Sequence, residues 1–202
     1  MVCQTIVISS LGRTGTLSLG QSASSIIENC YSAHELDVFN PQEPWNWWRR
    51  WRKGATPVAL LDKLFARYSL GTLLVQRLAG KMSEHGAAGH IRNLRKQLYL
   101  DRPESVVLEA NLQFAGVLDL VAQAFPGARC VYIVRDPRDW VLFWMNLAKG
   151  WYSSWDWRIC LPNTSLRPSH LMDEQTQDHW RFLSRFDKLC WYWGAMNRSV
   201  LE

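Results

Sequence analysis

Residues 4–18 read QTIVISSLGRTGTLS. Thr5-Ile6-Val7-Ile8 is an uncharged, largely β-branched run and predicts a buried strand. Ser9 to Thr16 is a loop of small, hydroxyl and glycine residues with one cation, Arg13. Leu17 to Asn29 predicts a helix, with Leu17, Leu19, Ala23, Ile26 and Ile27 as its apolar positions. A strand that turns through glycines straight into a helix aims backbone N–H groups at a phosphate. The helix start supplies orphan donors and the positive end of the dipole, and Thr14, Thr16 and Ser18 add hydroxyls. A Walker A loop needs Gly-Lys-Ser/Thr, whereas Gly15 here is followed by Thr16. The absent lysine argues against an ordinary ATPase or GTPase.

Outward from this stretch, strand and helix patterns alternate. Tyr31 to Leu36 predicts a second strand or the approach to one, carrying His34 and Glu35. Asn40-Pro41 and Glu43-Pro44 break structure before an aromatic and basic insertion at about residues 40–57, WNWWRRWRK from Trp45 to Lys53 at its centre. Val58 to Lys81 has helical spacing, with Gly71 as a break point, and His85 to Leu100 predicts a more polar helix. Ser105 to Ala110 predicts a strand, and Leu112 to Ala124 a helix stopped by Pro126-Gly127. Arg129 to Val134 predicts a buried strand that runs into Arg135-Asp136-Pro137-Arg138-Asp139 and a helix to about Lys149. In that helix Asp136 is a good N-cap, Pro137 fits the first position and Asp139 the capping-box acid. Gly150 to Pro168 reads as loop, and Asp173 to Leu201 as one long amphipathic helix. The pattern predicts a single α/β domain over residues 1–202, a central parallel sheet flanked by helices in three layers.

Composition narrows the class. Of 202 residues, 48% are hydrophobic and 20% charged, which is globular rather than disordered. A net charge of +5 and a pI of about 9.1 suit an anionic ligand. The five cysteines are widely spaced and form no CxxC pair, so a zinc site or a disulfide framework is not expected and buried thiols are. With a strand beginning by Thr5 and no long uncharged apolar run, no signal peptide or transmembrane segment is expected, which points to the cytoplasm.

The segment Phe125 to Asp139, FPGARCVYIVRDPRD, gives the first loop its counterpart. Arg135 follows a strand in an α/β pattern, where ligands bind and a guanidinium can grip a phosphate bidentately. The structural alternative is pairing of Arg135 with Asp136 or Asp139. Arg13-Thr14-Gly15-Thr16-Leu17 resembles the 5′-phosphosulfate loop of the sulfotransferases that use 3′-phosphoadenosine 5′-phosphosulfate (PAPS), and Arg135 to Asp139 resembles their 3′-phosphate segment. The resemblance covers nearly the whole chain but only the first two-thirds or so of the family domain, whose C-terminal portion has no counterpart here. It implies a P-loop-like fold and sulfuryl transfer from PAPS as co-substrate to a hydroxyl or amine, with no metal called for. Gly12, Arg13, Thr14, Gly15, Thr16, Leu17 and Arg135 would bind the nucleotide, with Arg13 facing the sulfate-bearing phosphate.

Sulfuryl transfer needs a base for the acceptor proton. The family uses a histidine or, in some branches, a glutamate after the first helix. Glu35 lies in that region and is the leading candidate, with His34 next to it as the alternative. One position departs from the family pattern. Where a serine is usual, eight residues after Arg135, this chain has Phe143, which cannot donate a hydrogen bond.

Twelve tryptophans are an unusual load. Trp45, Trp47, Trp48 and Trp51, with Trp151, Trp155 and Trp157, could line an acceptor pocket or form an oligomer or membrane contact, whereas Trp180 to Trp193 at helical spacing reads as core. The acceptor would be a small-molecule, carbohydrate or protein hydroxyl, and a homo-oligomer is compatible with the composition. The rival reading is a sulfotransferase-like scaffold that binds nucleotide or a protein partner without turnover. A kinase-type P-loop enzyme is weaker for want of the lysine. Nucleic-acid binding, which is not expected, would rest on the WNWWRRWRK patch alone.

Overall fold

The computed structural model describes residues 4–35, 70–148, 151–154 and 165–201. Within them four strands form one sheet: β1 (Gln4–Ser10), β2 (Cys30–His34), β3 (Val106–Ala110) and β4 (Arg129–Ile133). All pairings are parallel and the spatial order is β2-β3-β1-β4. The fold is therefore α/β with a parallel sheet, as the alternation predicts. Registers such as Ile6 opposite Leu108 and Ile8 opposite Val131 align the carboxyl ends of the strands along one edge.

Helices cover both faces. α1 (Thr16–Ile26) follows β1, and its Ala23 packs with Ile8, Cys30, Leu108 and Ala110 on one face. The opposite face carries Val7 and Val107 into the larger core. That core is closed by α2 (Leu70–Leu78), α3 (Glu84–Leu100) and α4 (Leu118–Ala124). α5 (Pro137–Met145) and α7 (Arg185–Leu201) extend it through Trp140, Val141, Leu189, Ala195 and Met196. α6 (Glu174–His179) precedes α7. β1 and β3 are neighbours, but the helices that follow them lie on opposite faces. In open α/β sheets such a reversal marks the place, at the carboxyl ends of the strands, where ligands are held.

Several boundaries differ from the sequence reading. α1 starts at Thr16, ends at Ile26, and turns Leu17, Leu19 and Ile26 outward at 50%, 42% and 79% exposure; Thr16, Gly20 and Ala23 are its buried positions. The reason is the close approach of α1 to the sheet. A Cβ on Gly20 would lie 2.8 Å from His34 Cβ and 2.9 Å from the Ala33 carbonyl oxygen, so the contact face of α1 must be small. β2 ends at His34, because Glu35 takes a left-handed φ of 43°. Gly71 lies inside α2 and breaks nothing among the described residues.

The predicted helix from Leu112 to Ala124 is two pieces. A 3-10 turn over Leu112–Phe114 is capped by Asn111, and Gly116, with φ 80°, separates it from α4. The predicted helix from Asp173 to Leu201 is also broken. Asp173 caps α6, a 3-10 turn spans Trp180–Phe182, and α7 restarts after Ser184. Ser184 and Asp187 exchange side-chain bonds with each other's backbone N–H, a capping box that ends one helix and begins the next. α5 stops at Met145, short of Lys149. β4, predicted buried, is exposed at Arg129, Cys130 and Val131, since among the described residues only β1 flanks it. Cys30 is buried, whereas Cys130 and Cys190 are exposed. No helix among the described residues is long and apolar enough to cross a membrane.

Candidate anion site at the carboxyl edge

The loop after β1 is shaped by left-handed residues: Gly12, Arg13 and Gly15 have φ of 83°, 61° and 88°. Its inner bonds converge on Ser10, whose Oγ accepts from the Gly12 N–H at 3.0 Å and from the Thr14 hydroxyl at 2.7 Å. Gly15 is the N-cap of α1 in the left-handed region, where a side chain would be strained, and it offers no cap oxygen. No acidic residue lies in the first turn. The orphan N–H groups of α1 therefore begin with neither a side-chain cap nor a carboxylate, the arrangement that favours an outside anion. Thr16 is buried and Leu17 is half exposed.

Two distant side chains hold the loop from behind. Trp140, fully buried in α5, donates its indole N–H to the Leu11 carbonyl at 3.1 Å. Arg135 donates from Nη1 to the Arg13 carbonyl at 2.8 Å, across 122 residues of sequence. The two segments singled out in the sequence thus meet. The alternative pairing of Arg135 with Asp136 or Asp139 is not found. Arg138 instead pairs with Asp136, at 2.8 Å, and leaves Arg135 to the loop. Asp136 caps α5 by accepting from the Arg138 N–H at 2.8 Å. The hydrogen bonds from the Arg138 side chain, and then from its backbone, push the Asp136 carboxyl down to about 2. Among the described residues neither Arg13 nor Arg135 is paired with a carboxylate.

Phe143, at the position where a serine was expected, faces the loop. The Arg13 guanidinium lies over its ring, 4.5 Å from the centroid. The ring supplies no donor, but it orients the loop's cation. Gly12 is backed by Leu112 and by the edge of Trp144.

His34 ends β2 and Glu35 follows it, on the same carboxyl edge but two strands from β1, about 10 Å at ordinary strand spacing. The left-handed turn at Glu35 brings its Oε1 to 3.7 Å from His34 Nε2, and the two side chains are 18% and 17% exposed. The Glu35 N–H bonds the Ala110 carbonyl at 3.0 Å, which ties the pair to β3. His34 Cβ lies against Gly20, one turn into α1.

The end of β3, between that pair and the loop, rests on a buried polar network that the sequence reading missed. Glu109 is fully buried and accepts from Arg95 Nε and Nη2 at 2.7 and 2.8 Å, the Tyr99 hydroxyl at 2.6 Å and Asn111 Nδ2 at 2.9 Å. The Asn111 carbonyl accepts from the Ser9 hydroxyl at 2.9 Å, so the network reaches β1. An acid at an inward position of an apolar strand, as in VVLEA, is the signal that could have revealed it. Gly20 and Ser10 carried no such signal.

Trp151 belongs to an aromatic layer between α5 and α7. It stacks on Trp144 at 4.9 Å and contacts Trp140 and Tyr192. Trp45, Trp47, Trp48, Trp51, Trp155 and Trp157 lie outside the described residues. Among those described, no three His, Cys, Asp or Glu side chains gather as a metal site. No family model, curated protein or solved structure matches the chain.

Proposed function

We propose that this chain is a sulfotransferase that takes PAPS as co-substrate and serves a hydroxyl or amine acceptor. One observation carries the reading. The Arg135 guanidinium binds the Arg13 carbonyl, so the loop and the strand-end arginine form one cationic site at the carboxyl edge of a parallel sheet. The residues present fit an anionic nucleotide: uncapped N–H groups at the start of α1, Arg13, and Arg135, with no carboxylate among the described residues to compete. The nucleotide, when bound, supplies the sulfuryl group. The N–H groups of Gly15 and Thr16 would hold the 5′-phosphosulfate, Arg13 would offset its charge, and Arg135 would take the 3′-phosphate. Glu35, with His34 at its side, would accept the acceptor's proton.

Calorimetric titration with the product nucleotide, 3′,5′-bisphosphoadenosine, tests the reading. Micromolar binding is expected, weakened about ten- to hundredfold by Arg135→Ala, the range for a hydrogen bond to a charged group. No binding to the folded chain overturns it. A second reading, a scaffold that binds nucleotide without turnover, is favoured by Phe143, whose ring occupies the place of a hydroxyl donor. Nucleotide binding without sulfation of any acceptor class, unchanged in Glu35→Gln, would select it.

A further inference from the structure

β4 ends at Ile133, so Arg135 lies beyond the last ladder bond of its strand. Its carbonyl has no strand partner there, and a peptide in that position is ordinarily left to water. Here it accepts a hydrogen bond from the Trp193 indole N–H, at 3.2 Å. The neighbouring residue reaches the same loop by a second route: Tyr192 stacks on Trp140 at 6.1 Å and 11°, and Trp140 holds the Leu11 carbonyl. Two adjacent residues of α7 thus lead to two carbonyls of one loop, Trp193 through Arg135 to Arg13 and Tyr192 through Trp140 to Leu11.

We propose that Trp193 is a positioning residue of the anion site: by pinning the Arg135 peptide it holds the Arg135 guanidinium against the loop. The inference rests on the nucleotide reading above and adds a residue that touches no ligand. The neighbouring indoles do not touch the Arg135 peptide: Trp191 donates to Asp173, at the start of α6, and Trp140 donates to the Leu11 carbonyl of the loop. Removing the Trp193 N–H while keeping an aromatic ring frees the peptide and lets the guanidinium leave the loop, so anion affinity falls while the packing of α7 remains.

The test compares wild type, Trp193→Phe, Trp191→Phe, Arg135→Ala and the Trp193→Phe/Arg135→Ala double variant, each titrated with 3′,5′-bisphosphoadenosine and melted. Trp193→Phe is expected to bind about fivefold more weakly, the worth of one hydrogen bond. Trp191→Phe is expected to bind as wild type, and Trp193→Phe to add nothing once Arg135 is gone. Wild-type affinity in Trp193→Phe, or the same fivefold loss in the Arg135→Ala background, overturns the proposal. The ligand-free protein supplies a second readout: a distinct, slowly exchanging Arg135 guanidinium signal in a nitrogen-15 spectrum, kept by Trp191→Phe and lost in Trp193→Phe. If the wild type binds no nucleotide, the sulfotransferase reading falls. The spectrum then decides the positioning role alone, and an unchanged Arg135 signal in Trp193→Phe refutes it.

Discussion

At the scale of single residues, charge is placed by opposite rules inside the molecule and at its rim. Glu109 is fully buried, and its two oxygens accept four hydrogen bonds, two of them from Arg95. Such a pair recovers its desolvation cost only while complete. Glu109→Ala removes the carboxylate that the buried Arg95 guanidinium donates to and is expected to cost about 3–5 kcal/mol in urea unfolding. The loss should also loosen the ends of β1 and β3, because Asn111 and Ser9 hang on the same network. At the rim, Asp136 follows a different logic. Its folded carboxyl is held near 2, below the ordinary 3.8, by Arg138. A lowered folded value means stability that is present above the ordinary carboxylate range and lost as pH falls through about 2. Asp136→Asn should therefore melt below wild type at pH 6, and the gap should close as pH approaches 2. A constant gap across that range would show that the cap acts without its charge.

At the scale of elements, two glycines make opposite predictions. Gly20 faces the sheet so closely that a methyl group there must displace the Ala33 carbonyl or the His34 side chain. Gly20→Ala is expected to cost about 1–3 kcal/mol by overpacking. Gly89, in α3, has open space around its Cβ direction, and Gly89→Ala should stabilise by about 0.5–1 kcal/mol through helix propensity alone. Denaturant midpoints of the two variants decide the matter, and equal effects would mean that α1 is not wedged against the sheet. These cases show what was legible in the sequence. β1, β3 and β4 announced themselves by β-branched residues, and the start of α5 by Asp136-Pro137, because those signals are local. The outward Leu17, Leu19 and Ile26 were misread because periodicity reports a stripe and not the distance to the sheet, which Gly20 sets. The break before α7 was legible in the Ser184-x-x-Asp187 box, but the aromatic spacing across it looked continuous.

At the scale of the whole molecule, the candidate site is built from segments that only the tertiary fold unites. The sequence revealed the loop and Arg135 because each is a local pattern. It did not reveal Trp140, Trp193 or Arg185, whose roles depend on how α5 and α7 lie together. Arg185 is the plainest case. From the first turn of α7 it donates to the carbonyls of Trp144, Met145, Leu147 and Trp151, four acceptors at and beyond the end of α5. A cation at a helix C-terminus satisfies orphan carbonyls and complements the dipole at once. α5 in turn carries Trp140 against the Leu11 carbonyl and Phe143 against Arg13. Arg185 thus stands at the far end of the structure that holds the loop after β1. Arg185→Ala is expected to cost about 2–3 kcal/mol, since a charged donor is lost and several carbonyls are stranded together. The position of the loss matters more than its size. Amide exchange should quicken first over residues 142–147 and then in the loop at residues 11–15, while β3 and α3 stay protected to the global limit. Arg185→Lys should behave almost as badly, because an ammonium cannot spread to four acceptors as the planar fork does. If exchange instead rises uniformly over the chain, Arg185 stabilises the fold as a whole and has no particular connection to the loop.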